Sequence, residues 1–188
     1  MKTNPNLKFQ TEVMGLNEKN EKVEKKTFEN DGYRARDYII RNSYFKNSLL
    51  IFEEGYVKFE NCVFDGEVSI FNKGKMGFDA IEIVSSKTAP ESKKMDIRAQ
   101  SVEILQCEFM SVDNLIIDAI SVDINASNIM STGEISYSGY LNLFHSDLDL
   151  IDLKNVSKEE KKAAINIKYT RIDGEDKEFN NIRQVLNK

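Results

Sequence analysis

The chain is predicted to fold as an all-β protein, a right-handed parallel β-helix of about seven coils with short terminal caps, and three observations carry that prediction. The first is a spaced motif, apolar-x-apolar-x-x-small-x-apolar, typified by Val57, Phe59, Cys62 and Phe64. It recurs as Tyr38/Ile40/Ser43/Phe45, Ile81/Ile83/Ser86/Thr88, Val102/Ile104/Cys107/Phe109, Val122/Ile124/Ser127/Ile129, Leu141/Leu143/Ser146/Leu148 and Ile165/Ile167/Thr170/Ile172. The second is its interval, 19, 24, 21, 20, 19 and 24 residues between successive first positions, which is the range of repeat folds. The third is that apolar residues inside each copy alternate with period two and are rich in β-branched and aromatic types. No segment carries a sustained helical stripe, so helical repeats are disfavoured. Handedness follows the general preference for right-handed crossovers.

Each element follows in order. Residues 1–31 are charged and weakly periodic, a lead-in with one strand or turn around Leu7–Val13, or else a cap over the first coil. An uncapped end would leave unpaired backbone groups open to association. Residues 32–173 form the β-helix. Further strands of each coil are expected at Leu49/Ile51, Val68/Ile70, Leu115/Ile117, Ile135/Tyr137 and Ile151/Leu153, giving two or three strands per coil. The longer intervals hold insertions: a turn-rich one over Asn72–Gly77, and a polar loop at 88–94 containing Pro90. At 157–164 a capping-box pattern predicts a helical turn or two. Residues 174–188 place Phe179, Ile182 and Leu186 on one helical face, which predicts a C-terminal capping helix.

Composition narrows the function classes. The 188 residues suffice for one domain, and the net charge of -5 disfavours binding to a nucleic-acid backbone. No apolar run approaches the roughly 20 residues of a membrane span. No secretory signal is visible, so the cytoplasm is the expected location, and two cysteines are too few for a disulfide framework. Cys62 and Cys107 fall two coils apart, roughly 9.6 Å by strand spacing, beyond disulfide reach. They read as reduced, buried thiols. No metal-ligand spacing, phosphate-cradling glycine motif or nucleophile elbow occurs, and neither cofactor nor metal is expected. His145 is the single histidine. It cannot form a triad with Ser146 and Asp147, because neighbours on a strand point to opposite faces.

Stacking the coils aligns the second motif position into a column, Ile39, Lys58, Glu82, Glu103, Asp123, Asn142 and Asn166. The seventh position gives Tyr44, Val63, Lys87, Glu108, Asn128, Asp147 and Arg171. Glu82, Glu103 and Asp123 would stack directly, with Glu108 and Asp147 expected on the same face. This acidic side is the candidate docking face for a protein with a basic surface, and the chain is expected to be a non-enzymatic binding protein. The alternatives are self-association into a filament or dimer, and a small carbohydrate-binding or carbohydrate-active β-helix using Tyr44, Tyr56 and Tyr140.

Phe59-Glu60-Asn61-Cys62-Val63-Phe64-Asp65-Gly66 resembles a piece of a pentapeptide-repeat protein, as do Leu143, Leu148 and Leu153 with Leu141, Ser146 and Ile151 before them. The pattern breaks at Ser69, where Val68 and Ile70 are out of phase. The resemblance implies coils of twenty residues with four faces, and some members of that family are acidic mimics of DNA that bind topoisomerases. In length and polar tails the chain is also similar to bactofilins, which polymerise end to end, but it lacks their glycine-rich, strictly periodic core.

Overall fold

The computed structural model describes residues 7–9, 13–16, 22–23, 38–158 and 163–182. The backbone winds as a parallel β-solenoid of about seven coils, and each complete coil contributes three strands. Three short strands come first: β1 (Leu7–Phe9), β2 (Val13–Leu16) and β3 (Lys22–Val23). Coil one is β4 (Tyr38–Arg41), β5 (Ser43–Lys46) and β6 (Leu49–Phe52). Coil two is β7 (Val57–Glu60), β8 (Val63–Asp65) and β9 (Glu67–Asn72). Coil three begins with β10 (Ala80–Val84) and β11 (Lys87–Thr88), and ends in the first half of β12 (Lys94–Leu105). From there strands run through the corner between the third face and the next first face. They are β12, β14 (Asn114–Asn125) and β15 (Asn128–Phe144), with β13 (Glu108–Met110) on the second face of coil four. β16 (Asp147–Asn155) and β17 (Ala164–Ile172) complete the stack, and β18 (Glu175–Asn180) folds back.

All seven copies of the motif stand in register. Tyr38 pairs with Val57, Val57 with Ile81, Ile81 with Val102, Val102 with Val122, Val122 with Leu141 and Leu141 with Ile165. The first and third motif positions point inward and build one continuous core. Its early coils are aromatic: Phe59 lies 5.6 Å from Phe45, 6.2 Å from Phe52 and 5.8 Å from Phe64 between ring centroids. Later coils replace the rings by Ile129, Ile135, Leu141, Leu143 and Leu148.

A one-residue corner joins the first and second faces. Its residues are Asn42, Asn61, Ser85, Gln106, Ala126, His145 and Tyr169, all left-handed with φ between 45° and 54°. Asn tolerates that conformation and the bulkier types do not favour it, so the stacked corner overrides local preference. The small residue that follows is needed for more than room. Ser127 Oγ donates to the Asn125 carbonyl at 2.9 Å and accepts from the Cys107 amide at 3.1 Å. Ser86 repeats the arrangement with Val84 O and Cys62 N, at 2.8 and 2.9 Å. Cys107 Sγ reaches the carbonyls of Leu105 and Ile83 at 3.3 Å. Ser127→Ala is therefore expected to strand a buried amide and lower stability by about 1–3 kcal/mol in urea denaturation. Ser127→Cys, which restores the group found at two other rungs, should recover most of that loss.

Several expectations change. In coil one Leu50 and Phe52 face the core and Leu49 and Ile51 face outward, the reverse of the sequence reading. The polar loop before residue 94 leads into a third-face strand whose Met95 and Ile97 are buried. Residues 175–180, expected as part of a capping helix, form β18, antiparallel to β17; the rest of that expectation, 183–188, lies outside the described residues. So does 159–162, the centre of the helical turn expected at 157–164. Coils have three faces, so the four-sided shape implied by the pentapeptide-repeat resemblance is not adopted, and the DNA-mimic implication goes with it.

β1 pairs antiparallel with β6 and β2 with β5, across the start of the solenoid; β3 aside, the rest of 1–31 lies outside the described residues. The insertion after β9 is anchored by buried Asp79, whose carboxylate accepts the amides of Gly55 at 2.6 Å and Met76 at 2.8 Å. Among the described residues no helix is long and apolar enough to cross a membrane.

Candidate functional site

The predicted ladder on the first face exists. Lys58 stands beside Glu82, Glu82 beside Glu103, Glu103 beside Asp123, Asp123 beside Asn142 and Asn142 beside Asn166, one rung apart. It is held because each residue occupies the outward position between two buried apolar ones, so register fixes the column. Its ends are neutralised. Lys58 Nζ lies 3.3 Å from Glu82 Oε1. Asn142 Nδ2 donates to Asp123 Oδ1 at 2.9 Å, Asn166 Nδ2 to Asn142 Oδ1 at 2.6 Å, and Asn180 of β18 to Asn166 Oδ1 at 3.1 Å.

Between those ends three carboxylates follow one another. The Glu82 side chain is 14% exposed. Loss of solvation, then the neighbouring Glu103 charge, raises its pKa above the ordinary carboxylate range. Desolvation and the Asp123 charge raise Glu103 likewise, with Lys58 opposing. Tyr140, flanking the ladder, is also pushed up, by burial first and Asp123 second. Like charges directly opposite one another destabilise a sheet, so this run works against the fold.

Glu108 and Asp147 lie elsewhere. The left-handed corner at Gln106 and His145 turns the chain, so both residues stand on the second face and not with the ladder, correcting the expected grouping. There Glu108 stands between Lys87 and Asn128, and Asp147 between Asn128 and Arg171. Arg171 Nη1 is 3.2 Å from Asp147 Oδ2. In that column no two carboxylates are direct neighbours, since Asn128 separates Glu108 from Asp147, whereas three stand together on the first face.

Neither thiol is in a disulfide and both are buried, and burial pushes Cys107 up to about 12. Its thiolate is thus absent at neutral pH. Ser146 is buried with its hydroxyl on the Phe144 carbonyl at 3.0 Å, while His145 is exposed at the corner, so the two side chains do not meet. His145 instead stacks on Phe144 at 4.3 Å and lies 5.0 Å from Tyr169, which is 71% exposed. This aromatic corner was missed from sequence; reading the fifth motif position as a column would have found His145 and Tyr169. The tyrosines named for carbohydrate binding do not share a platform. Tyr44 is buried with its hydroxyl donating to Asp65, Tyr56 opens coil two and Tyr140 coil six. Among the described residues no cluster of three or more His, Cys, Asp or Glu side chains is arranged to hold a metal ion.

Comparison with protein-family models, curated proteins and solved structures finds no match.

Proposed function

We propose that this protein is a non-enzymatic binding protein that presents Glu82, Glu103 and Asp123 to a basic strip on a protein partner. The observation that carries the reading is the uninterrupted run of three carboxylates, two of them with raised proton affinity, longer than the Glu134–Asp152 pair that stacks on the third face. Such a run costs stability unless a cation covers it, and perturbed carboxylates of this kind concentrate at functional sites. Lysine or arginine side chains spaced along an extended partner would match rungs about 4.8 Å apart. Reduced thiols fit a cytoplasmic setting. The antiparallel strands at the ends weigh against the filament alternative, because a parallel template cannot continue through them.

Affinity purification from the native cell, with wild-type protein and the double variant Glu103→Lys/Asp123→Lys, tests this. The expected result is a partner captured by the wild type, sensitive to salt, and lost with the variant. Retention of every partner by the variant would remove the proposal. Stability gives a second readout. The folded pKa of each glutamate lies above its unfolded value, so the penalty is present at neutral pH and is relieved as pH falls through the folded value. Glu103→Gln should therefore raise Tm by about 1–3 °C at pH 7. That gap should narrow as pH approaches the carboxylate range.

A further inference from the structure

The last coil is incomplete. β17 supplies its first and second faces, but at Asp173–Gly174 the chain turns back as β18, so the third face stops one rung short, at β16. β16 pairs with β15 from Asp147 to Asn155, whereas its other edge meets β17 only at Asp147 and Leu148. Leu150 N is bonded to the Asp173 carboxylate at 2.9 Å. Beyond it, Val156 N donates to Tyr137 O. In a parallel ladder alternate residues turn their peptide groups to opposite sides, so those of Ile151, Leu153 and Asn155 point away from β15. Among the described residues no strand pairs with them there.

The chemistry around this notch selects an occupant. On the inward side Ile151 and Leu153 continue the apolar columns Leu115–Gly133 and Ile117–Ile135. On the outward side Asp152 is exposed, Asp173 overhangs from the turn above, and Lys154 is already drawn to Glu134 at 3.2 Å. Leu150, 68% exposed, and Val156, 47% exposed, flank the two ends. A trough of about 960 Å³ crosses the outer side of the third face from Arg98 of β12 through Asp118 and Glu134 to this edge, where Leu150, Asp152 and Asp173 line it. β17 on the first and second faces, and β18 beyond it, stand past the level at which the third face ends, so the notch is a recess and not a flat end. A recess of this kind suits a single added strand better than the end of a second copy.

We propose that the free edge of β16 is a strand-addition site for an extended partner segment of alternating apolar and basic residues. Its apolar side chains would cover Ile151 and Leu153, its basic ones would face Asp152 and Asp173, and its backbone would pair with the three outward peptide groups. This site is on a different face from the acidic ladder and does not depend on it.

The test measures fluorescence polarisation of a labelled seven-residue peptide of alternating valine and lysine against the full chain. Two forms N-methylated at alternate amides, one for each parity, and an alternating valine–glutamate peptide serve as controls. Saturable binding is expected, at least about tenfold weaker for one N-methylated form and little changed for the other, because only one set of amides faces the edge. The glutamate peptide should also bind at least about tenfold more weakly. Asp152→Lys should weaken binding about tenfold, and so should Leu153→Pro, whose lost amide points away from β15 and meets no strand among the described residues. Glu103→Lys/Asp123→Lys should leave binding unchanged.

The proposal is overturned if the valine–lysine peptide does not bind, or if both N-methylated forms bind as well as the parent. Loss of binding in the ladder variant alone would assign the peptide to the first face and overturn it too. So would light scattering that shows a dimer dissociated by Leu153→Pro, since the occupant would then be a second copy.

Discussion

Phe59→Ala is expected to lower the stability of the folded chain by about 3–5 kcal/mol, with a fall in Tm of about 10 °C or more. Phe59 is fully buried, and its ring meets Phe45 and Phe52 of the coil below and Phe64 of its own coil. Removing it opens a void that three rigid rings cannot close, since each is fixed to a strand held by neighbours on both sides. Phe59→Leu, which keeps most of the volume, should cost less than half as much. Urea and thermal unfolding measure both. A loss under about 1 kcal/mol for Phe59→Ala would mean that the rings do not pack as a ladder.

The second large effect falls on a glycine. A Cβ at Gly133 would sit 1.9 Å from the Leu115 carbonyl oxygen and 2.7 Å from its carbon, atoms of the neighbouring strand's backbone. Gly133 also marks the irregularity where β15 and β16 shift register. No rotamer change relieves a backbone clash, so strands must separate at a rung that also carries ladder hydrogen bonds. Gly133→Ala is expected to lose about 3 kcal/mol or more, or to abolish soluble expression. Gly77→Ala is the control. Nothing lies within 4 Å of its Cβ position, and its effect should stay within about 0.5 kcal/mol.

The first and second faces were legible in the sequence because the path from Tyr38 to Phe45, and from each later copy's first position to its last, has one constant length. Alternation and a small residue then identify both strands and the corner between them. The third face follows corners of variable length, so its register had to come from alternation alone. Leu49-Leu50-Ile51-Phe52 does not alternate, and only pairing of Leu50 with Ile70 selects which pair points inward. The C-terminal expectation failed for a related reason. Every residue of Glu175–Asn180 is exposed, so no apolar stripe decides its conformation, and the unpaired edge of β17 does. Apolar spacing cannot register an edge waiting for a strand.

Of the candidate site, Glu82, Glu103 and Asp123 were legible because their column depends only on the constant segment. Grouping Glu108 and Asp147 with them failed because a left-handed residue has no strong signature when it is Gln106 or His145. The small column was recognised for its size, but its hydrogen bonds were not. Those bonds link adjacent coils, and a linear pattern contains no information about which amide lies above a hydroxyl.

The left-handed corner between the first two faces also has a consequence for how the molecule tolerates change. That edge of the prism admits one residue in every coil, whereas 73–79 and the connection from β16 to β17 both fall where the third face returns to the first, and 89–93 where the second passes to the third. Length variation is thus confined to two edges, leaving one as a fixed spine. A foreign loop grafted at 74–78 would hang from a seam that already carries one, while the same insertion after Asn61 would break a column of internal hydrogen bonds. Any reshaping of this scaffold, by selection or by design, has two seams open to it and one closed.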